Sequence, residues 1–90
     1  MIVISIESAP LPVRGELSKW LIELKPGVFV GSVSADIRDR LWDKLEKYPE
    51  NIDAIMVYST NNEQGFTMKM QGDPHRSVVD YDGVSVVKIT

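Results

Sequence analysis

The chain has no cysteine. That excludes a disulfide framework, a thiolate metal site and a thiol nucleophile. It has one histidine, His75, so no site within one chain can use two imidazoles. No apolar run exceeds the size of a strand, well short of the ~20 residues of a membrane-spanning helix, so no membrane partner is expected. The opening Met1-Ile2-Val3-Ile4-Ser5-Ile6 lacks a basic leader and a cleavage site. It does not read as a signal peptide, and a cytoplasmic location is expected. There is no Gly-rich phosphate loop, no Ser/His/Asp set and no paired-histidine helix. An excess of positive charge is also missing. Ten basic and 13 acidic residues give a net charge of −3. Alone, that argues against a nucleic-acid binder, which usually has a basic domain.

What is there fits one folded domain, taken as residues 1–90. Apolar residues make up 43% and charged residues 26%, which excludes a disordered chain. Residues 2–6 are apolar at nearly every position and read as a central strand. Pro10 and Pro12 stop that strand, and Pro12 suits the first turn of a helix. Leu17, Trp20, Leu21 and Leu24 then follow helical spacing, which predicts a helix running to Pro26-Gly27 with Trp20 in the core. Residues 28–30 are a short strand. Ser34 is a good N-cap for a second helix whose buried stripe is Ile37, Leu41, Trp42, Leu45 and Tyr48. Residues 52–59 and 66–71 read as two strands of a hairpin around a polar turn. Residues 72–80 look like an irregular polar arm. Asp82-Gly83 marks a turn before a last strand over 84–89. This order predicts an α+β, ferredoxin-like sandwich: two helices on one face of a mainly antiparallel sheet. The other sheet face needs a partner, which suggests a homodimer.

Few residues carry chemistry. Glu7 follows the first strand and could meet its copy across a dimer axis. Two such carboxylates with water suit Mg²⁺, which favours oxygen ligands. Glu7 is therefore the candidate catalytic and metal-binding residue, against the plainer reading of a solvated strand end. Arg14 lies in the first turn of a helix, where the dipole disfavours a cation. Phosphate contact is one reason for such a placement and a plain surface charge is another. His75 and Arg76 in the arm could follow a phosphate backbone. Arg38 and Arg40 interleave with Asp36, Asp39 and Asp43 on the second helix, a pattern typical of a solvated face.

The run Trp20-Leu21-Ile22-Glu23-Leu24-Lys25-Pro26-Gly27-Val28-Phe29-Val30-Gly31-Ser32-Val33-Ser34-Ala35-Asp36-Ile37-Arg38 resembles the type I-E subfamily of CRISPR-associated protein two. Trp42, Thr60-Asn61, Glu63, Gly65-Phe66 and Asp80 with Asp82-Gly83 extend the similarity over nearly the whole chain. The resemblance implies a ferredoxin-like homodimer at the centre of the spacer-acquisition complex. It implies that two dimers of the CRISPR-associated integrase, protein one, flank that dimer and carry the chemistry. The dimer would hold the middle of the protospacer double-stranded DNA. By position, Arg14, Arg38 and Arg76 match basic positions of the family, and His75 stands where relatives can have arginine. Asp36 and Glu16 replace basic residues. The segment from Asp80 to Thr90, including Asp82, Val84, Val86 and Ile89, matches the part that docks the integrase. Glu7 matches the acid that other members use for Mg²⁺-dependent nuclease activity. Two functions are thus weighed: a non-catalytic adaptor that needs no Mg²⁺, and a metal-dependent endonuclease acting on RNA or DNA through paired Glu7. A generic ligand-binding dimer has no pocket motif behind it. The adaptor is preferred, because one carboxylate per chain and no cationic clamp is thin equipment for phosphodiester cleavage.

Overall fold

The computed structural model describes residues 1–73 and 75–89; Pro74 of the expected arm and Thr90 of the expected docking segment lie outside them. The elements are β1 (Ile2–Glu7), α1 (Leu11–Ser18), β2 (Ile22–Lys25), β3 (Val28–Gly31), α2 (Ala35–Lys47), β4 (Asp53–Ser59), β5 (Phe66–Gln71), β6 (Arg76–Tyr81) and β7 (Val84–Ile89). The first five strands form one sheet in the order β2-β3-β1-β4-β5, and β6-β7 form a separate ribbon. Every pairing is antiparallel. β1 and β2 therefore run the same way on either side of β3, a split βαβ unit, and β3-α2-β4 repeats it around β1. The expected α+β, ferredoxin-like architecture is present, and β1 is central as its apolar sequence required.

One sheet face makes the core. Ile2, Ile4 and Ile6 of β1, Phe29 of β3, and Ala54 and Met56 of β4 point one way by strand alternation. They bury against Val13 and Leu17 of α1 and Leu41, Trp42 and Leu45 of α2. Ile4, Phe29 and Met56 have no exposed surface at all. α2 starts as expected: the Ser34 hydroxyl accepts the Ile37 N–H at 3.2 Å, with Asp36 in the first turn and Lys44 and Lys47 in the last.

Three expectations are corrected. The first helix does not reach Pro26: it stops at Ser18, and Ile22–Lys25 is a strand. Leu17, Trp20, Leu21 and Leu24 fit helical spacing, but pairing with β3, Ile22 opposite Val30 and Glu23 opposite Phe29, wins. Pro26-Gly27 is the turn of that hairpin, with Gly27 at φ +83. The turn packs on β1, where Ile6 N–H donates to Gly27 O at 2.8 Å. A Cβ at Gly27 would fall 2.2 Å from Ile6 O. Second, Trp20 is 48% exposed rather than core, because the chain leaves the helix before it. Third, most of the expected polar arm is β6, which pairs with β7 from Arg76↔Ile89 to Tyr81↔Val84. The intervening Asp82-Gly83 turn has φ +51 and +84, as a two-residue type I′ hairpin loop requires.

Candidate nucleic-acid and partner-binding surfaces

The three arginine candidates are each tied to a carboxylate of the same chain. Arg14, on α1, has its Nη2 3.6 Å from Glu23 Oε2 on β2. The same Glu23 oxygen accepts the Gly27 N–H at 3.0 Å, so one carboxylate joins the β2–β3 turn to α1. Arg14 Nε is buried and has no hydrogen-bond partner among the described residues. Arg38, on α2, donates from Nε to Asp39 Oδ1 at 3.1 Å and lies 4.0 Å over the Tyr58 ring of β4. That stacking is a cation–π contact, and it keeps the guanidinium against the sheet. Arg76, at the start of β6, has its Nε 3.5 Å from Asp73 Oδ2. His75 N–H donates to Asp73 Oδ1 at 2.8 Å. Arg14, Arg38 and Arg76 thus belong to three separate ion pairs. A phosphate reaching any of them competes with a carboxylate already in place.

Glu7 ends β1 on the face opposite the helices and is exposed. The next residue, Ser8, is at φ +54, a left-handed conformation that turns the chain away from the sheet. Glu7 is directly opposite Asp53 of β4, so two carboxylates leave the sheet side by side. A cavity of about 290 Å³ gathers Glu7 and Asp53 with Asp73 and Arg76, and Ile55, Met70 and Val87 supply its apolar wall. The structure therefore brings Glu7 and Arg76 together, while Arg14 and Arg38 lie outside that cavity. Mg²⁺ is the ion the family resemblance implies here. Among the described residues no group of three or more carboxylates and imidazoles could hold a metal ion. No chemical step is derived through it.

The open sheet face is apolar along a row that crosses all five strands. Ile22, Val30, Val3, Val57 and Met68 are successive cross-strand partners. Ile22 is 69% exposed and the other four are partly buried. The ribbon splits the expected docking residues. Val84 and Val86 share one face with their partners Tyr81 and Val79, an apolar quartet. Ile89 points the other way with Val87, the residue that lines the cavity. Asp82 sits in the turn.

The sequence matches the family model described as CRISPR-associated protein (Cas_Cas2CT1978) over residues 1–86. The chain belongs to the CRISPR-associated protein two family. Membership supports a role in CRISPR adaptation. The matched span contains Glu7, Arg14, Arg38, His75, Arg76, Asp82, Val84 and Val86 and stops before Ile89. For this family member, reasoning on the sequence missed Asp53, Asp73 and Glu23. Asp53 needed the β1–β4 register, and Glu23 was hidden by assigning its segment to a helix. Asp73 had a local signal: it precedes Arg76 by three residues, an ion-pair spacing.

No helix among the described residues is long and apolar enough to cross a membrane.

Proposed function

We propose that the chain is the non-catalytic adaptor of type I-E spacer acquisition. In this reading it is a homodimer that bridges two dimers of the CRISPR-associated integrase and holds the middle of the protospacer duplex. The observation that carries the reading is the unfinished side of the sheet. The row Ile22, Val30, Val3, Val57 and Met68 is apolar from edge to edge, while the helix side is already closed. A second copy on that face removes the apolar surface from water and makes a two-fold scaffold. Such a dimer carries a charge of about −6, twice the −3 of the chain, so it does not attract a duplex from a distance. Binding is then local, through Arg14, Arg38, His75 and Arg76, with the integrase supplying the rest.

The second reading, Mg²⁺-dependent cleavage through Glu7, draws support from the side-by-side Glu7 and Asp53 carboxylates. It pairs Glu7 with its copy across the dimer, with water completing the shell. One reconstitution separates the two: the chain, the cognate integrase and a protospacer duplex, with and without Mg²⁺. The adaptor reading expects Glu7→Ala to integrate at the wild-type level and the chain alone to leave RNA and duplex intact. Cleavage by the chain alone that requires Mg²⁺ and disappears in Glu7→Ala overturns it.

A further inference from the structure

The ribbon β6-β7 shares no strand pairing with the five-stranded sheet. A two-stranded ribbon is marginal by itself in water, so its placement depends on what fastens it. One fastening is apolar: Val87 lines the same cavity as Ile55 and Met70. The other is Gln64, in the β4–β5 turn. The Ser85 N–H donates to Gln64 Oε1 at 2.7 Å, and Gln64 Nε2 donates to Ser85 O at 2.9 Å. Both bonds are partly buried and span 21 residues of sequence. The side-chain amide thus offers β7 the donor and acceptor that a residue of a neighbouring strand would offer.

We infer that Gln64 is the positioning residue of the C-terminal ribbon: its amide fixes the ribbon's register and rotation, and so which face a partner meets. The inference rests on the proposed docking of the integrase to this segment. The geometry is selective because alternate residues of a strand differ in both face and hydrogen-bonding direction. Gln64 can pair in this way only with a residue whose N–H and C=O both point away from β6, which Ser85 does. Anchored there, Val87 and Ile89 share the side turned to the cavity. The quartet Val79, Tyr81, Val84 and Val86 forms the opposite side, where Tyr81 is 61% and Val84 43% exposed and Val79 and Val86 are partly buried; on the cavity side Val87 is 40% and Ile89 70% exposed. A slip of one residue would exchange the two sides. The partner surface that fits is apolar and matched to that quartet.

The test compares wild type, Gln64→Ala, Gln64→Glu and a chain truncated after Tyr81. Each is titrated with the cognate integrase, and Ser85 amide exchange is followed by NMR in the full-length forms. Losing two partly buried hydrogen bonds is expected to weaken integrase binding roughly tenfold in Gln64→Ala, with the Ser85 protection factor falling in parallel. The helices and five-stranded sheet should keep their circular dichroism. Gln64→Glu keeps the acceptor and loses the donor when ionised. Its Ser85 protection factor should rise as the new carboxyl is protonated, a pH profile that wild type lacks and that loss of packing would not produce. If truncation leaves integrase binding intact, the docking reading fails. If truncation abolishes binding while Gln64→Ala binds within twofold of wild type, the role of Gln64 is overturned. An unprotected Ser85 amide in the wild-type chain overturns it without any variant, which covers the case of a variant that does not fold.

Discussion

The two faces of the five-stranded sheet are made from alternate residues of the same strands, yet they end differently. On the helix side, Ile4, Phe29 and Met56 lose all contact with water beneath α1 and α2. On the other side, Val3, Val30 and Val57 sit one residue away on the same strands and stay partly exposed. Apolar burial is the main favourable term in folding, so the helix side drives folding. The open side has a similar apolar character and is met only in part, where Val87 of the ribbon shares a cavity with Ile55 and Met70. Its acids, Glu7 and Asp53, lie at one end of the face rather than across it. One β-sheet thus serves two purposes: the face under the helices holds the chain together, and the apolar row from Ile22 to Met68 on the other face is left to meet another surface.

The largest effects come from truncating one apolar side chain on each face. Phe29→Ala removes the largest fully buried side chain and is expected to cost about 3–5 kcal/mol of unfolding free energy. Val57→Ala, on the open face, is expected to cost about 1 kcal/mol in dilute solution. Its cost should grow with protein concentration if a second copy covers that face, because association stabilises by mass action. Denaturant melts at two concentrations measure both effects. Equal costs for the two variants at low concentration would show that the faces are not energetically distinct.

A smaller effect tests how the helix layer is secured. α2 has a side-chain cap at Ser34, whereas α1 begins at Pro10 with none. α1 has only eight residues, Leu11–Ser18, and contains Gly15. α2 is therefore expected to anchor the layer, and Ser34→Ala should cost about 1 kcal/mol. Thermal unfolding measures it. No loss of stability would mean that packing of Leu41, Trp42 and Leu45 alone sets the start of α2.

The same two-sidedness explains what could be read from the sequence. β1, α2, β4, β5 and the Asp82-Gly83 turn were legible because each carries a local signal that tertiary structure agrees with. β2 was not, because Leu17, Trp20, Leu21 and Leu24 satisfy helical spacing while Pro26-Gly27 ends a helix or turns a hairpin equally well. Only the partner strand β3 decides between them. β6 was obscured by its polar start at Arg76 and Ser77 and by the glycine and proline before it. The candidate site divides in the same way. Glu7 is visible as an acid at a strand end, but its neighbour Asp53 is 46 residues away and appears only with the β1–β4 register. The partners of the arginines are similarly hidden, since Arg14 meets Glu23 across an element boundary that helical spacing conceals. The split of Val84 and Val86 from Ile89 is already in the alternation of 84–89, whereas the partners Val79 and Tyr81 that complete the apolar face come only with the β6–β7 pairing.

The smallest expected effect sharpens the comparison at the rim of the helix layer. Glu16 of α1 forms ion pairs with Lys44 of α2 and with Lys19, the latter at 3.2 Å. Hydrogen bonding to Lys44 first, and to Lys19 second, holds the Glu16 carboxyl below the usual carboxylate range. In the unfolded chain those partners are gone and the carboxyl returns to its ordinary value. The unfolded state therefore binds the proton more readily over the acidic window between the two values. The stabilisation is fully present above the unfolded value and is lost as pH falls through the folded one. Glu16→Gln should consequently be slightly less stable than wild type at neutral pH, and the gap should close in acid. High salt should also narrow the gap, because the pair lies near the surface and is screened. Unfolding curves from pH 7 to pH 2 measure this. A gap that persists unchanged in acid would assign the effect to packing of the Glu16 side chain over the groove that Val13 and Leu17 of α1 and Leu41 and Leu45 of α2 line. The helix layer would then be fastened by shape alone, and charge would have no part in distinguishing its finished rim from the open face.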